Sequence, residues 1–171
     1  MPTTLVGAMV DGKPNYLPVA HVGIMDMGSI SLSMGKAHYT NHGIKENRTF
    51  SVNIPSTKRV KEVDYCGLVS GKTDDKSNLF KTFFGKLKSA PMIEECPINM
   101  ECELVKTVDF PTHEVFIGSI AATYCNEDIQ TGGVVDFGKV QPLLFVMNDR
   151  SYWKIGEKLA KAWDIGKKLK Q

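Results

Sequence analysis

Two long β-forming runs, Ile98–Phe110 (INMECELVKTVDF) and Glu114–Cys125 (EVFIGSIAATYC), are separated by only three residues in this chain. Both are rich in β-branched and aromatic residues, and so short a connection between them reads as a long antiparallel pair. A chain that carries such a ribbon builds a sheet. The other β signals are then further strands of that sheet or of smaller hairpins beside it.

Near the N-terminus, TLVGAMV (4–10) and YLPVAHV (16–22) flank DGKPN, whose Asp11-Gly12 is a turn signal, so they predict a hairpin. SISLSM (29–34) alternates Ser29, Ser31 and Ser33 with Ile30, Leu32 and Met34, which predicts a strand with one apolar face and one face of small hydroxyls. Such a face suits a ligand better than bulk water. TNHGIKEN (40–47) predicts a short helix capped by Thr40 or Asn41, and TFSVNIP (49–55) a strand ended by its proline. Ser56 is placed to cap a helix over TKRVKEVDYCGLVSG, where Val60, Val63 and Leu68 recur near helical spacing. The stretch Lys72 to Pro97 is mixed, with an apolar knot LFKTFFGKL that reads either as a short helix or as a loop packed by Phe80, Phe83 and Phe84. PLLFVM and SYWKI flank NDR as another hairpin, and from Glu157 onward Leu159, Ala160, Trp163 and Leu169 lie at helix-like intervals. The expectation is a mainly β fold, a β-barrel with inserted helices and a C-terminal helix, because closure removes exposed sheet edges.

With 171 residues, 42% of them hydrophobic and 23% charged, and no repeat or linker, a single domain over residues 1–171 is expected. A net charge of +2 is no nucleic-acid footprint, and the basic stretch GKKLKQ reads as a solvated helix end. No window approaches the roughly 18 apolar residues of a spanning helix, and MPTTLVGAMV has no leader pattern, so neither a membrane nor a nucleic acid is expected as partner. Cys66, Cys96, Cys102 and Cys125 form no C-x-x-C pair and the histidines lack ligand spacing, so no metal site is expected. Four reduced thiols fit a cytoplasmic location.

Several motifs are weaker than they look. GLVSGKT (67–73) has three residues between its first glycine and its Gly-Lys, one fewer than a Walker A, and follows a predicted helix. Ser70, Gly71 and Lys72 still combine a hydroxyl, an approachable backbone and a cation, the chemistry that holds a phosphate; a helix C-terminus ending in a solvated lysine is the plainer reading. No G-x-G-x-x-G follows a strand and no G-x-S-x-G elbow is present, which argues against a Rossmann domain and a serine hydrolase. Cys66, beside a glycine on an apolar helix, reads as packing.

Taken together, GKPNYLPVAHVG, SISLSMGKAHYTN, TFSVNIPS and CGLVSGKTDDK resemble the flavin reductase-like family, in particular its flavoredoxin branch, and the similarity runs from PTTLVGAMVDGKPN to the YWKIGEKLAKAWDIGKKLK ending. The resemblance implies an FMN-binding split β-barrel that pairs as a homodimer, with the flavin near the interface. It implies phosphate and ribityl contacts at Tyr39 and Thr40 and around Ser33, with Lys36 and His38 adding charge or donors. A hydroxyl and free backbone donors at a helix N-terminus suit an anion. It further implies ring or ribityl contacts at Val19, Ala20 and His21, pocket positions at Asn15 and Asn53, and a phosphate or ring loop at Ser70, Gly71, Lys72 and Lys76. Met27-Gly28 and Gly35 depart from the family pattern of prolines and a bulkier residue, which changes the pocket entrance.

The flavin performs electron and hydride transfer in such a protein, and no catalytic acid or base is conspicuous in the chain. The leading expectation is an FMN-containing redox flavoprotein that passes electrons from NAD(P)H or a ferredoxin-like protein to an acceptor. The rivals are a flavin reductase that supplies free reduced flavin to an oxygenase, a non-catalytic flavin-binding module, and a pyridoxamine-phosphate-oxidase-like enzyme.

Overall fold

The structure, a computed structural model, describes residues 1–169. In chain order the elements are β1 (Thr4–Val10), β2 (Lys13–Val19), β3 (Val22–Asp26), β4 (Ser29–Gly35), α1 (Thr40–Asn47), β5 (Thr49–Ile54) and α2 (Val60–Leu68). Two short strands follow, β6 (Thr82–Phe83) and β7 (Met92–Ile93), then the long pair β8 (Ile98–Asp109) and β9 (His113–Cys125). A small hairpin, β10 (Gln130–Thr131) and β11 (Val134–Val135), one turn of helix α3 (Phe137–Val140), and the hairpin β12 (Leu143–Val146) and β13 (Ser151–Lys154) complete the fold.

Seven strands form one sheet in the order β2-β1-β5-β8-β9-β4-β3, every neighbouring pair antiparallel. Its two outermost strands, β2 and β3, are consecutive in sequence with only Ala20 and His21 between them. Two residues span only about 7 Å even when extended, so the sheet curls until its edges meet at that link. The barrel expected from the antiparallel strands is the result. Register shifts between Glu101 and Cys102 and between Leu104 and Lys106 interrupt the β8–β9 ladder, where bulges let so long a ribbon bend around the wall. At the β1–β2 turn, Asp11 and Gly12 both adopt positive φ, 48° and 74°, the backbone that matches the twist of a two-residue hairpin.

Burial follows from closure. Along β4, Ile30, Leu32 and Met34 point into the barrel and the three serines point out, in the alternation the sequence predicts. β1 and β5 are buried on nearly every residue, because one face lines the barrel (Val6, Ala8, Phe50, Val52) while the other is covered by α2 and by residues 79–96. Phe80 stands edge-on to Tyr16 in this second core, with ring centroids 5.5 Å apart. Residues 72–97 are therefore a packed loop holding two short strands, with no helix. α1 closes one end of the barrel through Ile44, and a Cβ on Gly43 would strike the Met9 carbonyl, so glycine permits that approach.

Three local expectations change. Neither Thr40 nor Asn41 caps α1: the helix begins at Thr40 after Tyr39, the Thr40 hydroxyl accepts from Asn15 Nδ2 at 2.8 Å, and Asn41 Nδ2 donates to Gly35 O and to Glu114. Ser56 makes no capping bond. It precedes a 3-10 turn, Thr57–Arg59, and pairs with Pro142. The C-terminal helix is reduced to a 3-10 turn at Ile165–Leu169, while 155–161 is irregular, because Leu159 and Trp163 find no surface among the described residues to pack on. Lys170 and Gln171, the end of the basic GKKLKQ stretch, lie outside the described residues.

Asn53 ties these layers together. Its Nδ2 donates to Leu5 O at 2.8 Å and Ser51 Oγ at 3.0 Å, and its Oδ1 accepts from Ile93 N at 3.2 Å, all out of solvent. Asn53→Ala leaves the Leu5 carbonyl without that donor, and a buried group so stranded costs about 1–3 kcal/mol. Urea unfolding is expected to show a loss of that size, with ligand affinity unchanged once the variant is folded.

Candidate functional site

The link that closes the barrel also opens a cavity. Ala20 and His21 form one wall, Met34 at the end of β4 and His113 at the start of β9 form the next, and His38, in the loop before α1, forms a third. The β12–β13 hairpin roofs it with Phe145, Met147 and Tyr152. That hairpin is held in place by the N-terminus: the Met1 amine donates to Phe145 O at 2.9 Å and Thr3 N to Leu143 O at 2.9 Å. The cavity measures about 250 Å³ and is mostly apolar, yet three histidines reach it, with the His21 and His113 rings 6.2 Å apart. Thr3, which also lines it, has a buried hydroxyl with no partner among the described residues.

Leu17 and His38 are shared with a second cavity of about 220 Å³, so the two form one trough. Each alone is smaller than a typical ligand site of about 300–1,000 Å³, and joined they come within that range. The second cavity is polar. Asn15, Tyr39, Thr40, Ser70, Gly71 and Lys76 line it. Thr40 Oγ1 accepts from Asn15, which leaves its own O–H to donate, and neither the Tyr39 nor the Thr40 N–H donates to a backbone carbonyl among the described residues. Among the described residues Asn15 Oδ1 is buried without a partner, and a Cβ on Gly71 would run into that oxygen. The loop backbone at Gly71 thus comes as close to Asn15 as only a glycine allows.

Lys76 supplies the charge. It is 3% exposed and its ammonium donates to Tyr16 O at 3.0 Å and Cys66 O at 2.8 Å, with a third N–H left over. Burial draws its pKa below the ordinary lysine value, while Cys66 and Asp74 oppose that shift. A buried cation held by neutral carbonyls favours an anion beside it. Burial lifts the Cys66 thiol to about 11, so it stays protonated and is no nucleophile. Outside the polar cavity three carboxylates, Asp11, Asp74 and Asp75, stand with two lysines, Lys13 and Lys72, and Lys13 pairs with Asp75 at 2.6 Å.

Of the residues expected at a ligand site, Val19, Ala20, His21 and His38 line the first cavity, Asn15, His38, Tyr39, Thr40, Ser70, Gly71 and Lys76 the second, and Lys72 the rim. Three lie apart. Asn53 is enclosed in the second core, Ser33 is on the outer face of β4, and Lys36 pairs with Asp109 at 2.8 Å. The alternation of β4 explains Ser33: Met34 takes the inward position and reaches the cavity instead. Thr3, His113, Phe145 and Tyr152 also line the first cavity, with no local sequence signal that marks them. His113 lies in the short connection before the second long run and becomes the first residue of β9, and only its pairing with Gly35 brings it there. Among the described residues no cluster of His, Cys, Asp and Glu is arranged to hold a metal, and no helix is long and apolar enough to cross a membrane.

Residues 1–154 match the flavin reductase like domain. The fold superposes on a crystal structure of a flavoredoxin from Methanosarcina acetivorans with a TM-score of 0.96, at 46% identity over 99% of this chain and 92% of that one. A flavoredoxin of Desulfovibrio vulgaris (Miyazaki F) gives 0.89, at 35% identity over 96% and 92%. An uncharacterised protein of Archaeoglobus fulgidus is 32% identical over 112 residues, 63% of each chain, so this chain covers less than two thirds of that relative. The chain belongs to the flavin reductase-like family.

The electrostatics of the trough give a pH dependence. Burial first, then His113 and Lys76, hold the His38 imidazole below its ordinary value of 6.5. The unfolded chain then binds more protons than the folded one between that lowered value and 6.5. This stabilisation is complete above about pH 6.5 and is lost as pH falls through the lowered value. Urea midpoints at pH 7.5 and 5 are expected to differ more for wild type than for His38→Gln.

Proposed function

We propose that the chain is an FMN-binding redox flavoprotein that takes electrons from NAD(P)H or a ferredoxin-like protein and passes them to an acceptor. Family membership supports a flavin-linked redox function. The observation that carries the finer reading is the division of the trough into a polar end with a buried cation and an apolar end roofed by aromatics. FMN has the same division, an anionic phosphate at one end and a flat ring at the other.

In this reading Thr40, the Tyr39 and Thr40 N–H groups and Lys76 hold the phosphate, and Asn15 orients the Thr40 hydroxyl. The unpartnered Asn15 Oδ1 fits a ligand that brings its own donors, such as the ribityl hydroxyls, and Gly71 lets the loop backbone close over that end of the trough. Val19, Ala20 and His21 flank the ring, and Phe145 and Tyr152 keep water from it. The flavin, when bound, supplies the hydride and electron transfer. The chain positions it and controls access.

Two copies pairing is part of the same proposal. The outward face of β4 carries Ser29, Ser31 and Ser33, in register with Ser119, Ile117 and Val115 of β9. This half-buried, uncharged face suits apposition with a second copy better than solvent. The four cysteines are all free thiols, which supports the cytoplasm as the compartment.

Purified protein is expected to be yellow and to release FMN on denaturation. Thr40→Ala removes a hydrogen bond to a charged group, about 1.5–3 kcal/mol, so FMN affinity is expected to fall roughly ten- to a hundredfold. Riboflavin, without the phosphate, is expected to lose almost nothing. Fluorescence titrations of both flavins against both proteins give the comparison. Equal losses mean that Thr40 only packs against Asn15, and release of FAD alone overturns the FMN reading.

A further inference from the structure

Residues 155–169 follow β13 and lie beyond the matched family domain, which stops at 154. This arm leaves the barrel carrying large apolar side chains that nothing covers. Leu159 is 98% exposed and Trp163 96%. Its backbone bonds are local, from Ile165 N to Lys161 O and from Lys167 N to Asp164 O. Trp163 also has φ 57°, a left-handed backbone that is unfavourable for a bulky residue and persists only where surroundings impose it. Among the described residues only the local turn closed by Ile165 N and Lys161 O surrounds it.

The arm's course is not peculiar to this chain. A TM-score of 0.96 over 99% of the residues, against a flavoredoxin crystal structure, leaves no room for an arm that ran elsewhere in that protein. An exposed course that recurs needs a constant partner, and the partner always available to a chain is another copy of itself.

The barrel carries a matching deficit. At the tip of the β3–β4 hairpin Ile24, Met25 and Met27 are 88%, 54% and 103% exposed, although β3 is the outermost strand of the sheet. Other exposed apolar side chains, Leu68, Val105, Val134 and Phe137 among them, stand on separate elements, whereas Ile24, Met25 and Met27 crowd one hairpin tip; arm and tip do not cover each other among the described residues. Two-fold pairing buries both twice, once in each direction.

We propose that residues 155–169 form an intersubunit clasp, in which Leu159 and Trp163 of one copy pack on the β3–β4 tip of a second copy. The clasp rests on the pairing of two copies put forward above and adds to it a second contact, separate from the β4–β9 face.

The test uses the full chain with Trp153→Phe, which leaves Trp163 as the remaining one of two tryptophans. Dilution across the dimer transition, followed by light scattering and by Trp163 emission, reads mass and burial together. A blue-shifted emission in the dimer that moves red on dissociation is expected. Loss of two buried apolar side chains in Leu159→Ser/Trp163→Ser, and separately Met25→Ser/Met27→Ser, is expected to weaken the dimer roughly a hundredfold. A dimer whose Trp163 emits as in water, or whose dissociation constant neither double variant changes, overturns the clasp and leaves pairing through β4–β9 standing. A monomer at every concentration overturns both.

Discussion

The fold depends on a two-residue link. Because β2 and β3 sit at opposite ends of a seven-stranded order and only Ala20 and His21 join them, the sheet has to close, and everything inside it becomes core. Closure puts β1 and β5 between two packed layers, which is why TLVGAMV and TFSVNI are buried along most of their length instead of on alternate residues. It also leaves a seam, since the edges are tied by the chain and not by a full ladder. The seam is where the first cavity opens, and the N-terminal residues position the β12–β13 hairpin above it.

Along the trough the environment changes over a few residues. His38 belongs to both cavities, with apolar side chains on one side and the N-terminus of α1 on the other. Lys76 is the decisive group. A buried ammonium normally finds a carboxylate, but the rim carboxylates have other hydrogen-bond partners: Asp75 pairs with Lys13, Asp11 accepts from the Tyr39 hydroxyl, and Asp74, which acts on Lys76 through its charge, accepts from Thr73 Oγ1. Backbone carbonyls of Tyr16 and Cys66 satisfy two donors without cancelling the charge. The site therefore carries a net attraction for an anion at a point already shaped by Asn15, Thr40 and Gly71.

Much of this was legible in the sequence. The alternation of SISLSM set the inward face of β4, Asp11-Gly12 marked a two-residue turn, and β8 and β9 followed from composition and a short connection. The HYTN and SGK stretches, far apart in sequence, do meet at the polar cavity. What was not legible depends on register and on surroundings. His113 reaches the cavity only through its pairing with Gly35, and Phe145 and Tyr152 only because the hairpin docks on the N-terminus. Asn53 was placed at the pocket by the family resemblance alone, and the local pattern does not tell a ligand contact from the hydrogen-bonded core position it occupies. The spacing of Leu159 and Trp163 suits an amphipathic helix, but such a helix needs an apolar surface to lie on, and both side chains are uncovered among the described residues.

The thiols bear on how the site works. Cys66, Cys96 and Cys102 are all buried in apolar surroundings, which pushes each above its ordinary value, Cys66 to about 11 and Cys102 to about 12. Thiols so placed stay protonated and do not exchange electrons readily. Cys66 touches the site only through its carbonyl, as an acceptor for Lys76. The exposed Cys125, at the end of β9, lines neither cavity of the trough. On the flavin reading, then, the division of labour is sharp: the bound group carries the electrons, Lys76 sets the charge around it, and the wall of the closed barrel keeps both in a fixed relation. A change in potential would come from altering that charge, and a change in access from altering the β12–β13 roof.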